Sequence, residues 1–288
     1  MNTPTVQGFF DDTTNTISYV VWDPATEKAA VIDALLDFDQ ASGRTKTDSA
    51  DRLIAFVREK GLEVEWVIDT HVHADHLTAT PYVREQLGGQ TGIGEHIATV
   101  QKVFGEIFNE GQAFHTDGSQ FDHLFKDGET YRLGSIEAKA IHTPGHTPAC
   151  MSHVIGDAVF VGDTIFMPDF GTARCDFPGG DAGTLYDSIQ KLFALPDETR
   201  IFLCHDYKAP GRDDYVWETT IGEEKHSNKH VKQGTSREDF VKMRTERDAT
   251  LSMPKLILPS VQINMRAGEM PPAEPNGKIY MKLPINAL

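Results

Sequence analysis

The chain has 288 residues, 39% of them hydrophobic and 24% charged, a composition that supports a buried core and excludes disordered and collagen-like classes. At about 150 residues per domain the length allows two domains, or one large domain with an extension. Twenty-seven basic against 43 acidic residues give a net charge of −16, which repels phosphate backbones and anionic membrane surfaces and argues against nucleic acid or membrane as partners.

The opening stretch, MNTPTVQGFFDD, has no basic residue before Lys28 and no apolar run of signal-peptide length. No apolar run in the chain reaches the ~18 residues of a membrane-spanning helix. Three cysteines, Cys150, Cys175 and Cys204, form no C-x-x-C pair, which points to a reducing compartment. A cytoplasmic protein is the expectation.

Short strand-like and helix-like runs alternate over most of the length, without repeats or linkers, which is α/β organisation. Residues 17–22 and 29–32 read as strands separated by the turn-like Asp23-Pro24, and 64–68 as a third, rich in β-branched residues. Between them Leu53, Phe56 and Val57 recur at helical spacing beside Ile54, and the pattern stops at Gly61. Ile97, Val100, Phe104 and Phe108 form a second amphipathic stripe. From Tyr131 to Phe166 the runs shorten and are punctuated by glycines, which predicts consecutive strands and hairpins. A helix is predicted to begin near Asp181, bury Leu185, Ile189, Leu192 and Phe193, and end before Pro196. Another opens at Ser236, with Asp239 at the capping-box position. Residues 215–288 read as a C-terminal extension wrapping a single domain, and the last 35 or so, rich in Pro and Met, as an irregular tail.

The chemistry concentrates where these runs end. The strand 64–68 leads into Thr70-His71-Val72-His73-Ala74-Asp75-His76, three histidines and a carboxylate within six residues. In an extended segment residues i and i+2 share a side, so His71 and His73 can grip one cation while Asp75 and His76 aim at a neighbouring position. His146 follows a Pro-Gly turn, Asp163 follows the apolar run Val159-Phe160-Val161 and Gly162, and His205 follows Ile201-Phe202-Leu203-Cys204. Candidate ligands at four strand ends are the arrangement of a site at one edge of a sheet.

The order HVHADH, GHT, GD and HDY resembles the metallo-β-lactamase superfamily. The resemblance implies an αββα sandwich, two mixed sheets flanked by helices, with the metal at one edge. More narrowly, GDTIF (162–166), GTARCDFPGGDA (171–182) and CHDYK (204–208) look like the persulfide dioxygenases, also called sulfur dioxygenases, with glyoxalase II as the nearest hydrolytic relative. The segment departs from the dioxygenases' common pattern by carrying Thr172-Ala173 before the arginine, where they have Cys-Gly.

For a dioxygenase the resemblance implies one Fe(II) per chain on His71, His146 and Asp163, with His73, Asp75, His76 and His205 behind them and Asp75, His76 and His205 as catalytic groups. Two histidines and one carboxylate leave open positions at which O2 and a persulfide sulfur can meet. The implied substrate is glutathione persulfide or a similar low-molecular-weight persulfide, oxidised with O2 to sulfite and thiol. Arg174 and Tyr207 stand where relatives contact the glutathione moiety, although an ion pair from Arg174 to Asp176 or Asp181, and a core or rim position for Tyr207, remain open. For a hydrolase of glutathione thioesters or lactones it implies two Zn(II) per chain, one on His71, His73 and His146, the other on Asp75, His76 and His205, with Asp163 bridging. A metal or persulfide sensor is a third reading, and a homodimer is left open. His142 reads as a strand or supporting histidine. His96, His115, His123, His153, His226 and His230 read as surface or packing residues, and Cys175 as a buried, inert thiol.

Overall fold

The computed structural model describes residues 3–287. It opens with β1 (Thr5–Asp11), β2 (Thr16–Trp22) and β3 (Lys28–Ile32), followed by β4 (Leu35–Asp39), β5 (Arg44–Lys46), α1 (Asp48–Glu59) and β6 (Glu63–Ile68). Next come β7 (Leu77–Thr78), α2 (Thr80–Leu87), β8 (Gln90–Gly94), α3 (Ile97–Ile107) and β9 (His123–Phe125). The second half holds β10 (Thr130–Leu133), β11 (Ile136–His142), β12 (Met151–Ile155), β13 (Ala158–Phe160), α4 (Ala182–Phe193) and β14 (Arg200–Phe202). β15 (Glu218–Thr220), α5 (Ile221–Ser227), α6 (Arg237–Asp248) and α7 (Ile257–Asn264) follow.

Side-chain alternation builds a four-layer αββα sandwich. One sheet runs β1-β2-β3-β6-β8-β9 and the other β10-β11-β12-β13-β14-β15, with a small β5-β4-β7 sheet beside them. Along β2, Ile17, Tyr19 and Val21 face the opposite sheet; along β11, Ile136, Ala138 and Ala140 do the same while Glu137 and Lys139 are exposed. Their contacts with Phe125, Phe160 and Phe202 form the central core.

The outer faces are covered by helices whose stripes match them. Leu53, Ile54 and Val57 of α1 pack on Val31, Val64 and Val67, and Leu185, Ile189 and Leu192 of α4 on Val159, Val161 and Ile201. Each such side chain, fully buried, contributes about 1.5–3 kcal/mol. The Asp181 carboxylate accepts the Thr184 N–H as the N-cap of α4, and the Ser236 hydroxyl accepts the Asp239 N–H at the start of α6. Phe193 at the end of α4 is half-buried, short of the burial its position predicts.

The C-terminal extension differs from the expectation of an irregular tail. Within it α7 forms, and Ile257, Val261 and Met265 pack against Ile97, Val100 and Phe104 of α3. Pro259 falls early in α7, in its first turn, where a missing N–H costs little. Among the described residues no helix is long and apolar enough to cross a membrane.

Candidate metal centre

β3 pairs parallel with β6 and β13 with β14, while β11 and β13 both run antiparallel to β12. The C-terminal ends of these strands therefore meet at one edge of the sandwich. There the sheets are stitched by Ile17 N–H to Cys204 O at 2.8 Å and Met151 N–H to Thr70 O at 2.9 Å. Residues 69–76 leave β6 at this edge, and Gly162 lets the β13 end pass close to them. With φ at 51°, Gly162 has no room for a side chain: a Cβ would stand 2.6 Å from Thr70 Oγ1.

Hydrogen bonds set which ring nitrogen of each histidine is free. The Thr70 hydroxyl donates to Asp33 Oδ2 at 2.9 Å, so its oxygen accepts from His71 Nδ1 at 3.0 Å. His146 Nδ1 donates to the Arg174 carbonyl at 2.8 Å. Both rings thus present Nε2 as a lone pair, 3.9 and 3.6 Å from Asp163 Oδ2. The donor atoms of His71, His146 and Asp163 all lie within 4.8 Å of one another.

His73 sorts differently. Its Nε2 donates to Asp33 Oδ1 at 3.0 Å, and its donor atom groups with Asp75 and His76. Asp75 bonds His76 Nδ1 at 3.3 Å and stands 3.1 Å from His205 Nε2, which is 3.4 Å from Asp163 Oδ1. Burial holds His71 and His73 well below the usual imidazole range, so both stay neutral, as ligation requires. Burial also opposes charge on His205, but Asp75 and Asp163 outweigh it and raise this histidine. Burial opposes charge on Asp75 too, yet His205 and His76 hold it far below the usual carboxylate range.

The residues fit a cation. His71 Nε2, His73 Nδ1, His76 Nε2, His205 Nε2 and Asp163 Oδ1 are all buried without a hydrogen-bond partner. So many orphaned polar atoms converging on one edge are costly unless a positive ion satisfies them. The seven candidate ligands named from the sequence are therefore brought together, with His71, His146 and Asp163 as one group, His73, Asp75 and His76 as another, and His205 grouped with Asp163 and Cys204.

Three supporting residues escape the sequence reading. Asp33, at the end of β3, accepts from Thr70 N–H at 2.7 Å, the Thr70 hydroxyl, His73 and Cys204 Sγ at 3.7 Å. Its signal was available, since Ala29-Ala30-Val31-Ile32-Asp33 repeats the apolar-run-to-carboxylate pattern of Asp163. Asp69 accepts from the Thr78 and Thr80 hydroxyls, and burial pushes its carboxyl up to about 7. Asn264 of α7 accepts from Thr78 N–H at 2.8 Å and donates to the carbonyls of His73 and His76 at 2.9 and 2.8 Å. Nothing in the Pro/Met-rich tail marks that role. An Asn264→Leu protein is expected to lose about 2–4 kcal/mol, because one N–H and two carbonyls lose their buried partners, and to retain less metal on dialysis. Thermal melts and metal content measure both; unchanged metal retention would contradict the role.

A cavity of about 590 Å³ opens onto Asp75, His146 and Asp163, walled by Phe166, Phe170, Phe177 and Tyr207. Tyr207, 40% exposed, stacks on His205 with centroids 5.4 Å apart. Arg174 also lines the cavity, but its guanidinium is committed. It bonds both Asp176 oxygens and the Ser252 carbonyl, each at 2.6 Å, and lies over the Phe177 ring. Of the two roles open to it from the sequence, the ion pair with Asp176 forms. His142 stays outside the ligand groups, stacking on His96 and donating to the Pro148 carbonyl. Cys175 is buried, and burial pushes its thiol well up, in keeping with an inert sulfur.

Residues 12–205 match the family model described as the metallo-beta-lactamase superfamily. Among curated relatives, a "probable metallo-hydrolase" of Burkholderia pseudomallei is 53% identical over 99% of this chain and 100% of its own length. "Glyoxylase B2" of Dictyostelium discoideum is 51% identical over 93% and 92%. The human mitochondrial "persulfide dioxygenase ETHE1" is 30% identical over 91% and 88%. The crystal structure of ETHE1 from Myxococcus xanthus superposes with a TM-score of 0.72, at 33% identity, over 92% of this chain and 100% of that one.

Proposed function

The chain belongs to the metallo-β-lactamase superfamily, and from that premise we propose that it is a mononuclear non-haem Fe(II) persulfide dioxygenase acting on glutathione persulfide or a similar low-molecular-weight persulfide. In the balanced reaction the persulfide, O2 and one water give the thiol, sulfite and two protons; the terminal sulfur is oxidised and O2 reduced. The observation that carries the reading is the sorting of donor atoms. His71, His146 and Asp163 form one two-histidine, one-carboxylate group, and His73 falls outside it. Ferrous iron on that group would supply the redox chemistry and open positions for O2 and sulfur. Thr70 and the Arg174 carbonyl orient the two ligating rings, as partners behind metal ligands do. Phe166, Phe170, Phe177 and Tyr207 shield the reacting end of the cavity from water. His205 Nε2 stands 3.1 Å from Asp75 and 3.4 Å from Asp163, so the two carboxylates hold this imidazole in place beside the reacting end of the cavity. The likeness to the human persulfide dioxygenase supports the same reading.

A second reading, a binuclear zinc hydrolase of glutathione thioesters or lactones, is favoured by the unpartnered His73 Nδ1, His76 Nε2 and His205 Nε2. The names of relatives near 50% identity point the same way. His76→Gln separates the two. A mononuclear iron enzyme is expected to keep its one iron in this variant and lose at most about 100-fold in oxygen uptake, the range for a group behind the ligands. Loss of one of two bound metals by elemental analysis would favour the hydrolase.

A further inference from the structure

The segment 172–175 passes behind the metal centre, and residues of the C-terminal extension hold it at both ends. Thr172 N–H donates to His230 Nδ1 at 3.0 Å, and the Thr172 carbonyl accepts from Arg244 Nη1 at 3.1 Å. Cys175 N–H donates to Asp248 Oδ2 at 2.9 Å. The other Asp248 oxygen, Oδ1, accepts from both Nε and Nη2 of Arg244, at 2.9 and 2.6 Å. Arg244 and Asp248, one turn apart on α6, are 1% and 5% exposed. An ion pair so deeply buried gives up hydration that its attraction often fails to return, so stability alone is a weak reason for it.

A single peptide plane joins this pair to the metal centre. The carbonyl of Arg174 and the N–H of Cys175 belong to the same planar peptide unit, and that carbonyl accepts the Nδ1 proton of His146 at 2.8 Å. Asp248 therefore ends a chain, carboxylate to peptide to imidazole, whose far end is the His146 Nε2 lone pair, 3.6 Å from Asp163. A carboxylate on the N–H makes a charge-assisted bond and polarises the peptide, so its carbonyl becomes a stronger acceptor for the imidazole proton. The His71 ring has a counterpart, with the Thr70 hydroxyl interposed between its Nδ1 and Asp33 Oδ2. We propose that Asp248, fixed by Arg244, is a positioning residue that acts through the Arg174–Cys175 peptide to orient His146 and strengthen it as a metal ligand. Carboxylates behind ligating histidines bond the ring itself; here one peptide unit stands between. The inference needs His146 as a ligand, as it is in both readings above, and depends on neither reaction.

Zinc-loaded protein tests this without turnover. Arg244→Gln/Asp248→Asn removes both charges with little change in volume. Its affinity for the first zinc, read by competition with a chromophoric chelator, is expected to fall about ten-fold, the low end of the range for partners that bond a ligand directly. In proton NMR of the imidazole N–H groups, the His146 Nδ1 proton is expected to move upfield as its bond weakens, while the His71 Nδ1 proton, held by Thr70, stays. Asp248→Asn alone serves where the double variant does not fold, with the same two changes expected. Arg244→Lys keeps a cation beside Asp248 and is expected to lower the melting temperature while preserving the His146 signal and the zinc affinity. Wild-type zinc affinity in the neutral pair overturns the proposal, as does an unmoved His146 proton or an equal movement at His71. An Arg244→Lys protein that loses as much zinc affinity as the neutral pair overturns it too, because bracing and not charge would then be the cause. Zinc binding consumes no oxygen, so if oxygen uptake fails while these changes appear, the dioxygenase reading falls and the relay stands.

Discussion

An Asp163→Ala protein is expected to fall by more than about 100-fold in oxygen uptake, a larger loss than removing a group behind a ligand produces, and to bind little iron. The argument is geometric. Asp163 Oδ2 faces both His71 and His146, and its Oδ1 is buried without a hydrogen-bond partner. Removing the carboxylate takes away the one anion of the His71, His146 and Asp163 group, so an incoming cation meets only two imidazoles there. Asp163→Asn keeps the volume but removes the charge, and it is expected to behave like alanine in metal content. Elemental analysis with an oxygen electrode measures both; an alanine variant that keeps its iron and its uptake would show that the carboxylate is not a ligand.

The largest effect on stability is expected at Asp33. This side chain, 2% exposed, accepts from four donors and joins β3 to the metal loop and to β14 through Cys204. Asp33→Ala strands a backbone N–H, a hydroxyl, an imidazole N–H and a thiol in the interior. Leaving buried donors unsatisfied costs about 1–3 kcal/mol each, and removing a hub of this kind belongs to the exceptional class above about 4 kcal/mol. At about 2–4 °C per kcal/mol for a chain of this size, a fall in Tm of about 10 °C is expected. The fall should persist in metal-free protein, since it arises from the donors and not from the ion. A metal-free Asp33→Ala protein melting with wild type would refute it.

The candidate ligands were legible because metal chemistry needs specific residue types at strand ends, and HVHADH, His146, Asp163 and His205 stand there in plain spacing. Helix boundaries were legible where caps and breakers mark them, as at Asp181, Ser236 and Gly61. What stayed hidden depends on long-range contacts. Asn264 reaches the His73 and His76 carbonyls across 191 and 188 residues of sequence, and no local pattern announces such a bond. Arg174 could be singled out as a cation near the chemistry with Asp176 as one open partner, but its bond to the Ser252 carbonyl appears only once the loop after α6 folds over it. The helix α7 was masked by Pro259 and by the Met-rich flanks, although its apolar residues find a buried partner in α3.

Oxygen uptake with glutathione persulfide, by anaerobically prepared protein loaded with iron or with zinc and assayed for metal, tests the central claim most directly. One iron per chain, with one sulfite formed per O2 consumed by the iron form alone, is the result this account predicts. Two metals per chain, no oxygen consumption, and hydrolysis of a glutathione thioester by the zinc form would contradict it and place His73, Asp75, His76 and His205 among the ligands.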